Sequence, residues 1–191
     1  MKFLICSDIH GSQSAAQKLV QFFEYSKADF ILLLGDILYH GPRNNLPDEY
    51  NPRNVADLLN VYAGKIISCR GNCDAEVDQM LLKFPVLNPY SVVFYNGLKI
   101  FATHGHIYSP INGDGQIAVA NAALPPITDY DLVLYGHTHI PVLYRTNNYA
   151  VCNPGSVSLP KSDNKCRFAI LDNRIITTYD FDFNELESLA L

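Results

Sequence analysis

Apolar residues fall in short blocks along the first third of the chain, separated by polar segments. Lys2–Cys6 and Phe30–Leu34 are apolar runs without polar alternation, the pattern of strands covered on both faces, and Lys65–Cys69 continues the series. Between them, Ala15, Leu19, Phe22 and Phe23 recur at helical spacing within Ser14–Tyr25, and Asn54–Tyr62 also reads as helix. The order strand, helix, strand, helix, strand predicts an α/β unit with parallel strands.

After residue 90 the pattern changes. Val92–Phe94 and Leu98–Thr103 flank Asn96-Gly97, a strong hairpin signal because both turn residues accept positive φ. Leu132–Tyr135 reads as a buried strand. Pro141–Tyr144 and Tyr149–Cys152 flank Asn147-Asn148, and Arg167–Leu171 and Arg174–Tyr179 flank Asp172-Asn173, so each pair predicts a hairpin. No repeat or linker interrupts the series. Residues 1–191 are therefore expected to form one domain, with a helix-flanked pair of sheets that is parallel early and antiparallel late.

Composition narrows the partners. A hydrophobic fraction of 48% supports a substantial core, and a net charge of −5 lacks the basic footprint of general nucleic-acid binding. The apolar run at the N-terminus stops at Ser7-Asp8, short of the ~7–15 residues of a signal core, and nothing approaches a membrane span of ~18. Five cysteines, odd in number and without CxxC spacing, suit a reduced, cytoplasmic protein.

One regularity carries the chemistry. Five apolar strands run out into similar polar segments: Asp8-Ile-His10-Gly11, Gly35-Asp36, Gly71-Asn72-Cys73-Asp74, Thr103-His104-Gly-His106 and Gly136-His137-Thr-His139. Ligands of open α/β sheets bind beyond the carboxyl ends of strands, and five of the six histidines lie in these segments. Singly, each segment has an ordinary explanation: a helix cap at Asp8, a turn at Gly35-Asp36, an Asx turn at Asn72. Jointly they assemble two carboxylates, an amide and imidazoles, a mixed oxygen and nitrogen set suited to Mn²⁺, Fe, Ni²⁺, Zn²⁺ or Mg²⁺. Asp8, His10, Asp36, Asn72, His104, His137 and His139 exceed what one ion takes while keeping an open position, so two divalent ions are expected. Two such ions held by two carboxylates keep a net charge of about +2, which attracts a phosphate ester. They also lower the pKa of bound water to roughly 7, supplying a bridging hydroxide as nucleophile.

These segments, with Gly35–Asn44, Arg70–Asp74 and Asn153–Ser158, resemble the calcineurin-like metallophosphoesterase superfamily, and more closely its small bacterial and archaeal branch, the YfcE-like phosphodiesterases. The resemblance runs from Ile5 to about Pro160. It implies a four-layer α/β/β/α sandwich of two mixed sheets. It also implies one ion among Asp8, His10, Asp36 and His139, and a second among Asp36, Asn72, His104 and His137, with Mn²⁺ the first choice. Asn72 and His104 are then expected at the reacting phosphoryl group. Most of the superfamily has His where this chain has Cys73, and that His helps protonate the leaving group. A thiol there predicts a preference for esters whose leaving group departs unaided.

The expected substrate is a small phosphodiester. A homodimer or larger assembly is compatible with the aromatic hairpins and suggested by relatives. A protein-binding scaffold of the same fold and a nuclease are the competing readings. The complete ligand set speaks against the first and the acidic balance against the second. Among neighbouring residues, His106 is expected to line or support the site rather than to ligate. Arg43 either meets a phosphate oxygen or is a solvated loop charge, Asp74 is expected to cap a helix starting near Ala75, and Asn153-Pro154-Gly155 to shape a turn beside the site.

Overall fold

A computed structural model describes residues 1–191. The first sheet has the strand order β11-β10-β9-β1-β2-β3 and the second β4-β5-β6-β8-β7. In the first, β1 (Lys2–Cys6), β2 (Phe30–Leu33) and β3 (Ile66–Ser68) run parallel, while β9 (Arg167–Asp172), β10 (Ile175–Asp180) and β11 (Glu185–Ala190) extend it antiparallel. In the second, β5 (Leu98–Thr103), β6 (Leu132–Leu134) and β8 (Ala150–Asn153) run parallel, with β4 (Tyr90–Tyr95) and β7 (Val142–Arg145) as antiparallel edges.

The unbroken apolar runs have a direct structural cause. Phe3, Ile5, Leu32 and Leu34 face the second sheet, where they meet Ile100, Ala102, Leu132 and Leu134. Leu4, Cys6, Ile31 and Leu33 point the other way, into a core with the helices α1 (Gln13–Ser26) and α2 (Pro52–Asn60). With both faces dry, alternation has no place to occur. Helix α1 begins where the Ser12 side chain accepts from Ala15 N at 3.2 Å, and it ends at Lys27 in the left-handed region. Helix α2 has Pro52 in its first turn and Asn51 as its cap, and it buries Val55, Ala56 and Leu59.

The two-sheet α/β fold is that expected, with differences in detail. Helices cover only the first sheet. The outer face of the second, at Tyr135 and Val151, is covered by Val119 and Ala122 from the irregular segment between β5 and β6. Pro110, Pro125 and Pro126, with Gly113 and Gly115, deny that segment a helix. It is anchored instead by Ser109 N to Ala123 O and by the Tyr144 hydroxyl to Ile111 O, both at 2.8 Å. The last hairpin turns at Asn173-Arg174, one residue later than expected, and both residues have positive φ. Strand β11 has no sequence signal, since Glu, Leu and Ala favour helix; it forms because β10 offers an open edge.

Phe168 is fully buried under α1 and packs against Phe22 with ring centroids 4.0 Å apart, and against Tyr179, Phe181 and Phe183. Phe168→Ala should therefore destabilise the protein by about 3–5 kcal/mol, read as a lower urea midpoint at unchanged slope. A loss below about 1 kcal/mol would show that the ring cluster is not packed as described.

Candidate metal centre

The parallel strands of both sheets open their carboxyl ends to one place, and backbone contacts stitch those ends together. Asp8 N donates to Gly35 O at 3.1 Å, Gly136 N to His104 O at 2.9 Å, and His137 N to the Asp8 carboxylate at 3.1 Å. Five of the seven expected ligands sit in the left-handed region: Asp8, His10, Asp36, His137 and His139, with φ between 50° and 67°. Such residues are uncommon outside glycine and tend to cluster at functional sites. Asp8, His10, Asp36, His104 and His139 are all buried.

Three imidazoles are oriented in the same way. The Nδ1 of His10 faces Tyr39 O at 2.8 Å, that of His104 faces Leu34 O at 2.7 Å, and that of His139 faces Leu159 O at 2.5 Å. A carbonyl only accepts, so each Nδ1 carries a proton and each Nε2 points inward, free to bind metal once it has lost any proton of its own. There, His10 Nε2 and His139 Nε2 approach to 3.2 Å, and His104 Nε2 lies 3.4 Å from Asp36 Oδ2 and 3.1 Å from Asn72 Oδ1. Asp8 Oδ1 is buried without a well-directed hydrogen bond, 3.2 Å from His139 Nε2 and 3.6 Å from His10 Nε2. Ring nitrogens and carboxylates turned on one another at these distances call for positive charge among them, a proton or a metal ion. Asp8, His10 and His139 make one such group, and Asp8, Asp36 and His104 another. The donor set fits divalent metal. His137 stands outside both groups, its ring 5.1 Å from that of His104, and with Asn72 it lines the adjoining cavity.

The electrostatics express this crowding. Burial opposes ionisation of Asp8, yet the adjacent imidazoles of His10 and His139 and the charge of His104 hold its carboxyl well below the usual range. Burial by itself lowers the pKa of His104, but the carboxylates of Asp36 and Asp8 outweigh it and raise it to about 9. His137 and His106 go the other way, each to about 4, through burial and the charge of His104. Burial, and then the charge of Asp36, push the Cys73 thiol up, so it stays neutral near pH 7. Its backbone N–H holds Asp36 Oδ1 at 2.8 Å. His106 lies beside His104, ring centroids 5.3 Å apart.

Asp74 is not a helix cap, which corrects the expectation from sequence. Its carboxylate accepts from Asp36 N at 2.9 Å, Ile37 N at 2.8 Å and Gly71 N at 2.7 Å, lashing the β2 and β3 loops together. No α-helix follows it; Asp78 caps Ala75 N, and only a 3-10 turn forms at Asp78–Met80. Other supports went unread. Ser156 and Ser158 both donate to Asp8 O, at 2.9 and 2.8 Å, where the chain enters its left-handed turn. Asn153 Nδ2 donates to Gly136 O at 2.8 Å and Thr138 Oγ1 at 2.9 Å, fixing the loop of His137 and His139. The Asn153–Ser158 stretch stood out in the sequence, but hydroxyls carry no sign of the distant carbonyl they will meet.

Fold and site together define an α/β protein of two mixed sheets with a candidate metal site at the convergent strand ends. Residues 1–174 match the calcineurin-like phosphoesterase superfamily domain, and the chain belongs to that superfamily, whose members hydrolyse phosphoric esters. It is 44% identical over 177 residues to phosphodiesterase YfcE of Escherichia coli, covering 93% of this chain and 90% of that one. The solved structure of the E. coli phosphoesterase YfcE superposes with a TM-score of 0.90 over 100% of this chain and 99% of that one, at 40% identity. Vps29 of Chaetomium thermophilum superposes at 0.67 over 99% of this chain and 95% of its own, but at 19% identity that likeness is one of fold alone.

Two outcomes follow from this geometry. A Cβ on Gly71 would overlap the backbone N and Oδ1 of Asp36, so Gly71→Ala should cut bound divalent metal, measured by elemental analysis, at least about tenfold in the folded protein. Metal must also displace the proton that His104 holds up to about pH 9. Affinity should therefore rise up to about tenfold per pH unit between pH 7 and 9 and level off above, with proton release seen by calorimetry in buffers of different ionisation enthalpy. Affinity that stays flat over that range would contradict the charge assignment.

Proposed function

We infer that the protein is a metal-dependent phosphodiesterase that cleaves a small phosphodiester at a centre of two divalent ions. The observation that carries this reading is the convergence of inward-facing Nε2 atoms on the carboxylates of Asp8 and Asp36. The 44% identity to a protein named phosphodiesterase supports the choice of diester. One ion is assigned to Asp8, His10, Asp36 and His139, the other to Asp36, Asn72, His104 and His137, with Asp36 shared. Mn²⁺ is the first choice, and Fe, Ni²⁺, Zn²⁺ and Mg²⁺ suit the same donors. When bound, the ions supply an acidified water as nucleophile and positive charge toward the phosphoryl oxygens.

The chain's own groups do the rest. Tyr39 O, Leu34 O and Leu159 O hold three imidazoles as Nδ1–H tautomers, so no proton competes at the inner face once metal is loaded. Asn72 turns its Oδ1 inward, toward His104, and its Nδ2–H toward Cys73 Sγ at 3.2 Å, a donor that a phosphoryl oxygen can take over. Cys73, a neutral thiol, is a weak proton source, which favours esters with good leaving groups. The same reading treats residues 1–191 as one metallophosphoesterase domain. It places that domain in the cytoplasm, since all five cysteines are free. No helix is long and apolar enough to cross a membrane.

The test is hydrolysis of bis(p-nitrophenyl) phosphate against p-nitrophenyl phosphate, each metal being added in turn to chelated protein. The diester should be cleaved at least tenfold faster, chelation should abolish turnover, and Asp36→Asn should lower kcat about 100-fold or more with less metal retained. Metal-loaded protein that cleaves neither ester would favour the scaffold reading.

A further inference from the structure

Which ester the centre accepts depends on what surrounds it. A cavity of about 430 Å³ opens onto Asp36, Asn72, His137 and His139, and two cations stand on its wall, Arg43 and Lys161. Arg43 lies on the loop after β2, in a turn closed by Asn44 N to Gly41 O at 3.4 Å and Asn44 Nδ2 to His40 O at 2.8 Å. Lys161 follows the Ser156–Ser158 support, and its backbone N donates to His139 O at 3.2 Å. Each cation is thus tied to a loop that carries expected ligands. A second cavity, of about 520 Å³, continues past Cys73 and shares Arg43, Asn44 and Asn72 with the first. A diester has two substituents, and the two cavities offer each its own side, with Arg43 between them.

Neither the Arg43 nor the Lys161 side chain forms an ion pair or a hydrogen bond, as is also true of Lys27, Lys83 and Lys165, but these two alone of that group stand on the wall of the cavity beside the expected ligands. Charge then indicates what these two are for. The phosphate of a diester carries one negative charge, and two divalent ions held by two carboxylates keep about +2, or about +1 once a bound hydroxide forms. Two more cations at the same cavity exceed what the scissile group needs, and like charges gathered at one mouth repel until an anion enters. Ala118, Val119 and Ala120, which also line the cavity, bring no charged side chain to compete for that anion.

We propose that Arg43 and Lys161 form an anion clamp beside the metal centre, selecting phosphodiesters that carry a second anionic group, phosphate or carboxylate, apart from the one cleaved. The proposal rests on the phosphodiesterase reading for its substrate but not for its binding. Arg43 offers a planar fork and Lys161 a mobile point charge, a pair that grips an anion without fixing the rest of the molecule.

The test compares thymidine 5′-(p-nitrophenyl phosphate) with the same ester bearing a 3′-phosphate, on Mn²⁺-loaded protein at low salt. In parallel, calorimetry compares thymidine 3′,5′-bisphosphate with thymidine 5′-phosphate. The 3′-phosphate should lower KM, and tighten product binding, at least tenfold. Lys161→Ala combined with Arg43→Ala should bring both ratios to about one, and Lys161→Arg alone should keep most of the preference. Equal KM values in the unaltered protein, or ratios that survive the double substitution, would overturn the clamp while hydrolysis itself left the phosphodiesterase reading standing. Tenfold tighter bisphosphate binding with no hydrolysis of either ester would do the reverse, keeping the clamp and removing the reading it serves. A preference for the bisphosphate that disappears without added metal places the clamp at this centre; one unchanged by metal removal overturns that placement.

Discussion

Two buried carboxylates surrounded by inward-turned imidazoles are tolerable only with positive charge among them, and much of the structure can be understood as the means of holding that arrangement. Asp8 and Asp36 are both almost fully excluded from water. Removing a carboxylate from water costs several kcal/mol even after relaxation. In the metal-free protein a proton on His104 supplies part of the compensation, which is why that imidazole is so reluctant to lose it. The backbone adds its own cost. The five expected ligands in the left-handed region, among fourteen such non-glycine residues in the chain, at about 1 kcal/mol each or more amount to a sizeable part of a typical domain's net stability.

That cost is offset by rigidity elsewhere. The central parallel strands of each sheet are dry on both faces, so their ends move little, and the loops leaving them are tied back by polar struts. Asp74 takes three backbone N–H groups from two loops, Ser156 and Ser158 share one carbonyl, and Asn153 spans two positions of a third loop. These buried polar groups are satisfied by backbone rather than by solvent, which sets ligand positions without adding mobile charge. Gly71 and Gly136 admit the close approach of neighbouring loops, since any side chain there would overlap Asp36 or Ser7.

An acidic chain that handles anionic esters needs its positive charge concentrated. The metal site provides it at the centre, and the free cations at the rim lie where the long-range field of a net charge of −5 would otherwise repel substrate. The Cys73 thiol, pushed up by burial and the charge of Asp36, is neutral and adds no negative charge to the site. Local charge, rather than the sign of the whole surface, governs which anions approach.

Sequence alone determined the elements whose cause is local. The apolar runs of β1 and β2, the helical spacing of α1, the Asn96-Gly97 turn and the ligand types at five strand ends could all be read, because period, turn chemistry and donor atoms belong to the residues themselves. Only the tertiary structure decided what depends on a distant partner. Strand β11 exists because β10 has an open edge, and Asp74 became a strut rather than a cap because the Asp36 and Gly71 amides point at it. The face that lacks a helix is filled by a proline-bearing segment whose cover residues meet Tyr135 and Val151. Hydroxyls, carboxylates and cations form their contacts through space, and no spacing along the chain encodes which of them will be left without a partner.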